Sequence, residues 1–287
     1  MKSTREPGRR PVRTALALAG AVALTAVAVA LPSAAGAVQP AGGGHGGGAS
    51  GPKPTVVLVH GAFADASGWN EVTEGLQKKG YTTLAVANPL RGLHADAEYL
   101  RLVLSTIEGP VILVGHSYGG AVITNAATGN PNVEALVYVA AYALDEGEAL
   151  VDANALGGGH TDLADHLVFR PYPGAPENDA DGYIDPAFFR ELFAADLSKK
   201  EAAVLAASQR PAAVSALFTP SGPPAWASIP SWYLVAKQDH TIPPEAERAM
   251  AARAGSTTIE IDSSHVAMMS HPDVVLKLVL QADQATG

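Results

Sequence analysis

Short apolar runs alternate along the chain with stretches whose apolar residues recur at helical spacing. Thr55–His60, Tyr81–Ala87, Val111–Gly115, Val133–Ala141, Trp232–Ala236 and Thr257–Ile261 read as strands. Between them, 69–79, 95–107, 118–128, 244–254 and 272–283 read as helices. Strands that alternate with helices predict a mostly parallel six-stranded sheet wrapped by helices, an α/β fold. Between Asp145 and Ala227 the alternation breaks. That stretch holds Gly157-Gly-Gly159, a proline-rich piece at 171–176, and helical pieces near 186–197 and 199–209. It is too long for a plain loop. The reading is an inserted, mostly helical cap (about 145–227) over the carboxyl edge of the sheet.

The third strand runs straight into Gly115-His-Ser-Tyr-Gly119. Glycines two residues either side of Ser117 leave room for a sharp strand-to-helix turn that pushes the hydroxyl out at the carboxyl end of the strand. Alone the pattern is weak and also fits an ordinary glycine-rich turn. Here a strand precedes it and a helix-compatible Ala-Val-Ile-Thr-Asn-Ala-Ala follows, so Ser117 is the candidate nucleophile.

A nucleophilic serine needs a base, an acid that orients the base, and donors for the developing oxyanion. Downstream bases are His240, His265 and His271. His265 follows the last strand, where a loop brings an imidazole over the carboxyl edge; His271 precedes Pro272 and reads as the start of a helix. Asp239, at the end of the fifth strand, is the preferred acid. Asp145, after the fourth strand, is the rival, and Asp262 is too close in sequence to His265. The order Ser117, Asp239, His265 is the one built on hydrolase sheets of this type. The backbone N–H groups of Ala62 and Tyr118 are the candidate oxyanion donors. Phe63, with Trp69, Phe188, Phe189 and Phe193, is a candidate for an apolar substrate pocket. His60 and His116 read as loop-fixing groups, and His160 and His166 as solvated residues rather than metal ligands.

The N-terminal segment stands apart. Basic residues up to Arg13, the apolar Ala15–Leu31 and the small-residue site Ala35-Gly36-Ala37 read as a secretory signal peptide over 1–37, with an uncleaved anchor as the rival. Arg9-Arg10 leaves the export route open. Residues 38–53 form a flexible glycine-rich leader, and the remainder one large domain, 54–287. The whole chain carries −9, and residues 1–37 carry five basic groups and one acid, so residues 38–287 carry −13. Such a surface argues against nucleic acid or anionic lipid as partner. No cysteine is present, which excludes disulfides, thiolate catalysis and cysteine-ligated metal.

Together, His60-Gly-Ala-Phe-Ala-Asp-Ala-Ser-Gly-Trp69, Gly115-His-Ser-Tyr-Gly119 and Ser264-His-Val-Ala-Met-Met-Ser-His-Pro272 resemble the α/β-hydrolase superfamily. The similarity runs from Val56 to about Leu280. It is to the branch with plant methylesterases, hydroxynitrile lyases and bacterial serine esterases. The resemblance implies a Ser117–His265–Asp239 triad, Ala62 and Tyr118 as oxyanion donors, and no cofactor or metal. The lyases of that branch carry threonine and lysine where this chain has Gly61 and Val266, which removes both groups that handle their substrate. Aspartate-nucleophile relatives are excluded by Ser117. The expectation is a secreted serine hydrolase of small-molecule carboxylic esters, free of the membrane once the signal is cleaved. Lactonase, amidase, cofactor-free perhydrolase and a non-catalytic small-molecule binder are the alternatives.

Overall fold

The computed structural model describes residues 52–287. The segment read as a signal peptide and residues 38–51 of the leader lie outside the described residues. In chain order the strands and helices begin β1 (Thr55–Val59), α1 (Asn70–Lys78), β2 (Thr83–Val86), α2 (Leu93–Leu104), β3 (Val111–Ser117), α3 (Tyr118–Ala126) and β4 (Val133–Ala141). There follow α4 (Leu150–Ala153), β5 (Leu167–Arg170), β6 (Asp181–Ile184), α5 (Pro186–Phe193), α6 (Lys199–Ser208) and β7 (Ala212–Ala213). The chain then continues through β8 (Ser231–Ala236), α7 (Pro244–Arg253), β9 (Thr257–Ile261), α8 (Ala267–Ser270) and α9 (Pro272–Thr286).

The main sheet has the order β2-β1-β3-β4-β8-β9, and every neighbouring pair is parallel. The central strands are apolar throughout because helices cover both faces. Every residue of β3 is buried, as are Val56 to Val59. Each such valine or leucine withdrawn from water stabilises the fold by roughly 1.5–3 kcal/mol. After β1 the chain crosses to β2 on one side, and β3 returns on the other. This reversal opens a crevice at the carboxyl ends of β1 and β3, where ligands of open α/β sheets bind.

The insertion between β4 and β8 has sharply defined helix starts. Asp185 accepts from Ala187 N–H at the head of α5, with Pro186 in its first turn. Ser198 and Glu201 form a reciprocal capping box on α6. The insertion is not helical alone. β5, β6 and β7 form a small antiparallel sheet that the apolar pattern did not predict. Its strands are two to four residues long, Val168 and Phe169 point to solvent, and the largely buried β6 and β7 read Asp-Gly-Tyr-Ile and Ala-Ala, so no apolar run marks it.

Candidate active site

Ser117 closes β3 with φ 54° and ψ −126°, a conformation that costs a non-glycine residue about 1–3 kcal/mol. The surrounding glycines permit it. A Cβ on Gly119 would lie 2.3 Å from the Val59 carbonyl oxygen, and one on Gly115 would lie 2.7 Å from the Gly119 oxygen. Both positions therefore need glycine for close approach, whereas the left-handed angle falls on the serine itself. The loop after β1 is pressed equally hard against it: a Cβ on Gly61 would meet Ser117 Cβ at 2.6 Å.

That loop is fixed from below. Asn88 N–H donates to His60 Nε2 at 3.0 Å, so the proton sits on Nδ1, which donates to the Gly61 carbonyl at 2.9 Å. Asn88 Nδ2 bonds the His60 carbonyl. Burial holds the His60 imidazole below its ordinary pKa, so it stays neutral. Phe63, with φ 61°, donates its N–H to the Arg210 carbonyl in the insertion. Ala62 N–H takes no acceptor among the described residues. Tyr118 N–H belongs to the first turn of α3, whose N–H groups have no partner within the helix. The dipole of α3 favours negative charge at that point.

His265 and Asp239 are joined. His265 Nδ1 donates to Asp239 Oδ2 at 2.5 Å, and both side chains are wholly buried. Asp239 Oδ1 accepts from the N–H groups of Thr241 at 2.6 Å and Ile242 at 2.8 Å. The proton on Nδ1 leaves a lone pair on His265 Nε2, which has no partner among the described residues. It makes no hydrogen bond to Ser117 Oγ, a contact that in such sites often tightens only when substrate is bound. His116, beside Ser117, lies with its ring 4.6 Å from that of His265, and its Nε2 donates to the His265 carbonyl at 2.9 Å. Burial, then the neighbouring His265, pushes the His116 pKa well down, so this donor is neutral.

The other candidates lie elsewhere. Asp145 Oδ1 accepts from Glu146 N–H within its own turn. Asp262 pairs with Lys237 at the surface. His240 is exposed, and His271 bonds Ser270 Oγ at the head of α9. His160 pairs with Asp162 in solvent, and His166 stacks on Phe188 with ring centroids 3.8 Å apart.

A narrow, largely apolar cleft runs between the β1 loop and the insertion, lined by Phe63, Phe189, Phe193, Leu205, Val266 and Met269. Phe193 connects it to the site, with its ring 4.9 Å from His265 and 6.2 Å from Phe63. Two of the aromatics expected in the pocket are absent from its lining. Trp69 is fully buried against the edge of His116, and Phe188 is drawn outward by His166.

Three residues escaped the sequence reading. Asp196, after α5, accepts from Ser264 N–H at 2.9 Å, from Ser264 Oγ and from Ser263 Oγ, and so ties the insertion to the His265 loop. Thr241 Oγ1 donates to the Leu192 carbonyl and ties the Asp239 loop to α5 in the same way. Glu247, on α7, is completely buried beside Asp239. Its signal was present: Glu247 falls on the stripe that buries Ala246, Met250 and Ala251.

A strained serine at the strand-to-helix turn of a switch-point crevice, with a buried imidazole–carboxylate pair at the same edge, is the arrangement of an α/β hydrolase. The chain belongs to the alpha/beta hydrolase family, whose sequence pattern matches residues 56–278. It is 25% identical over 254 residues to the alpha/beta hydrolase nvfD of Aspergillus novofumigatus, covering 80% of this chain and 96% of that protein. With Methylesterase 17 of Arabidopsis thaliana it shares 26% identity over 260 residues, covering 82% and 93% respectively. Among solved structures, polyneuridine aldehyde esterase superposes with a TM-score of 0.69 at 23% identity, over 80% of this chain and 99% of that one.

Proposed function

We propose that the chain hydrolyses carboxylic esters of small molecules, with Ser117 as nucleophile, His265 as general base and Asp239 as the acid that orients it. One observation carries the reading: strained Ser117 and the buried His265–Asp239 pair meet at one edge of the sheet. Family membership and relatives named as a methylesterase and an aldehyde esterase support ester substrates. His265 Nε2 takes the Ser117 proton as Oγ adds to the ester carbonyl. Ala62 and Tyr118 N–H groups receive the oxyanion, and Asp239 steadies the imidazolium. Collapse expels the alcohol, protonated by His265, and leaves an acyl-serine. His265 then takes a proton from water, which attacks the acyl carbon; the acid departs and Ser117 regains its proton. The cleft holds the apolar part of the substrate against Phe63, Phe189 and Phe193. The basic and apolar pattern of residues 1–37 supports export, and the protein is proposed to act outside the cell.

The test is turnover of a panel of esters, lactones and amides by the purified protein and its variants. Ser117→Ala should lower kcat on esters by on the order of 10⁴- to 10⁶-fold with the fold retained. Asp239→Asn should cost about 10³- to 10⁴-fold, since the amide favours the wrong imidazole tautomer, while Asp145→Asn costs far less. Wild-type-like turnover by Ser117→Ala would end this reading.

A further inference from the structure

Glu247 is a buried acid that the proposed mechanism does not use. It lies on α7 with its side chain 0% exposed. One oxygen, Oε2, accepts from Ala236 N–H at 3.1 Å. The other, Oε1, is buried with no hydrogen-bond partner among the described residues, and the Asp239 carboxylate is the charged group beside this side chain. Among the described residues no cation bonds it. Arg248, the next residue of α7, lies at the surface, bonded to Glu260. The remaining titratable neighbours are Tyr142 and Tyr233, and both hydroxyls donate elsewhere, to Asn154 Oδ1 and to the Ala141 carbonyl.

Two carboxylates in contact, away from water, cannot both be ionised. Asp239 collects three donors, from Thr241, Ile242 and His265, whereas Glu247 has only one. The single proton therefore belongs to Glu247, and a contact between two acids becomes a hydrogen bond. We infer that Glu247 is a positioning residue for the Asp239–His265 pair, donating a hydrogen bond from its neutral carboxyl to the Asp239 carboxylate. Burial, and then the charge of Asp239, push the Glu247 pKa well above its ordinary value, consistent with this donor. The bond draws charge from Asp239 and so sets how strongly the pair stabilises a protonated His265.

The inference rests on the triad proposed above, and its test separates the two. Glu247→Gln keeps one acceptor for Ala236 and one donor for Asp239; Glu247→Leu keeps neither. The readout that needs no substrate is the imidazole titration of His265 followed by NMR. It should match the wild type in Glu247→Gln and move upward by about one pH unit in Glu247→Leu, because Asp239 loses a donor and holds the imidazolium more tightly. On any ester that is turned over, the acid limb of kcat/KM should move with it, and the loss should fall on kcat, by about tenfold, rather than KM. A Glu247→Leu protein with lower thermal stability but an unmoved His265 titration would reduce Glu247 to packing. Equal shifts in the Gln and Leu variants would also overturn the inference. Absence of turnover across the whole panel would defeat the ester reading, while the titration would still decide the role of Glu247.

Discussion

At the scale of single residues, the tightest constraint in the site is the space around Ser117 Cβ. Gly61 supplies that space, and the backbones on both sides are fixed, by His60–Asn88 bonds below and by β3 beyond. A methyl group added at 61 can be relieved only by moving the serine or the loop. Gly61→Ala should therefore lower kcat by about 10²-fold or more, the scale set by an ångström of misplacement. Its thermal unfolding should fall less dramatically, because the strand below stays paired; paired kinetic and calorimetric measurements check both. The same crowding bears on the missing lyase threonine: here a Cβ at 61 would meet Ser117 Cβ at 2.6 Å. Ser117, Asp239 and His265 were legible because each follows a recognisable strand, so parallel pairing delivers all three to one edge. Glu247 could have been found from the buried stripe of its helix, whereas Asp196, an exposed acid in a loop, carries no signal in the sequence.

At the scale of elements, the main sheet and the two longer helices of the insertion were readable, and the insertion's small antiparallel sheet was not. β1, β3, β4 and β8 are covered on both faces, and their apolar runs match the observed strands to within two residues at either end. In the insertion β5 is mostly exposed, β6 and β7 are too short and too poor in large apolar residues to read as strands, and Pro171, Pro173 and Pro176 in the connecting turn masked the hairpin between β5 and β6. Yet this segment is what ties down the loops that carry Asp239 and His265. Asp196 grips Ser263 and Ser264, and Thr241 grips the end of α5. Asp196→Ala removes the acceptor of the Ser264 donors, and because Asp196 is exposed and water can take its place, it should destabilise the protein by about 0.5–1.5 kcal/mol. Amide exchange should rise selectively in 262–266, and kcat should fall with little change in KM. Burial opposes ionisation of Asp196, but the bonds from Ser264 outweigh it and hold the pKa below the ordinary 3.8. Its contribution is thus present above pH 3.8 and lost as pH falls through the lower folded value.

For the whole molecule, buried titratable groups pull stability in opposite directions. His60 and His116 are held neutral, below the ordinary 6.5. The unfolded chain takes up protons there before the folded one does, so stability falls as pH drops below about 6.5, by up to about 1.4 kcal/mol per pH unit for each histidine. Glu247 acts in the other sense. Its folded pKa is raised above 4.5, so its stabilisation is complete below that value and is lost as pH rises through the folded one. Denaturant unfolding between pH 4 and 9 should show a maximum near pH 6 to 7. In Glu247→Gln the alkaline decline should flatten while the acid decline persists. The strand order has a further outcome, for the nascent chain. β1, β3 and β4 can assemble the serine turn as soon as residue 141 has emerged, but the carboxylate and imidazole ride on loops after β8 and β9, beyond the whole insertion. A ribosome-bound or unfinished copy therefore carries Ser117 without the His265–Asp239 pair. On the proposed triad, chemical competence arrives in one step, when the segment around residue 265 docks, and stalled fragments stay inert.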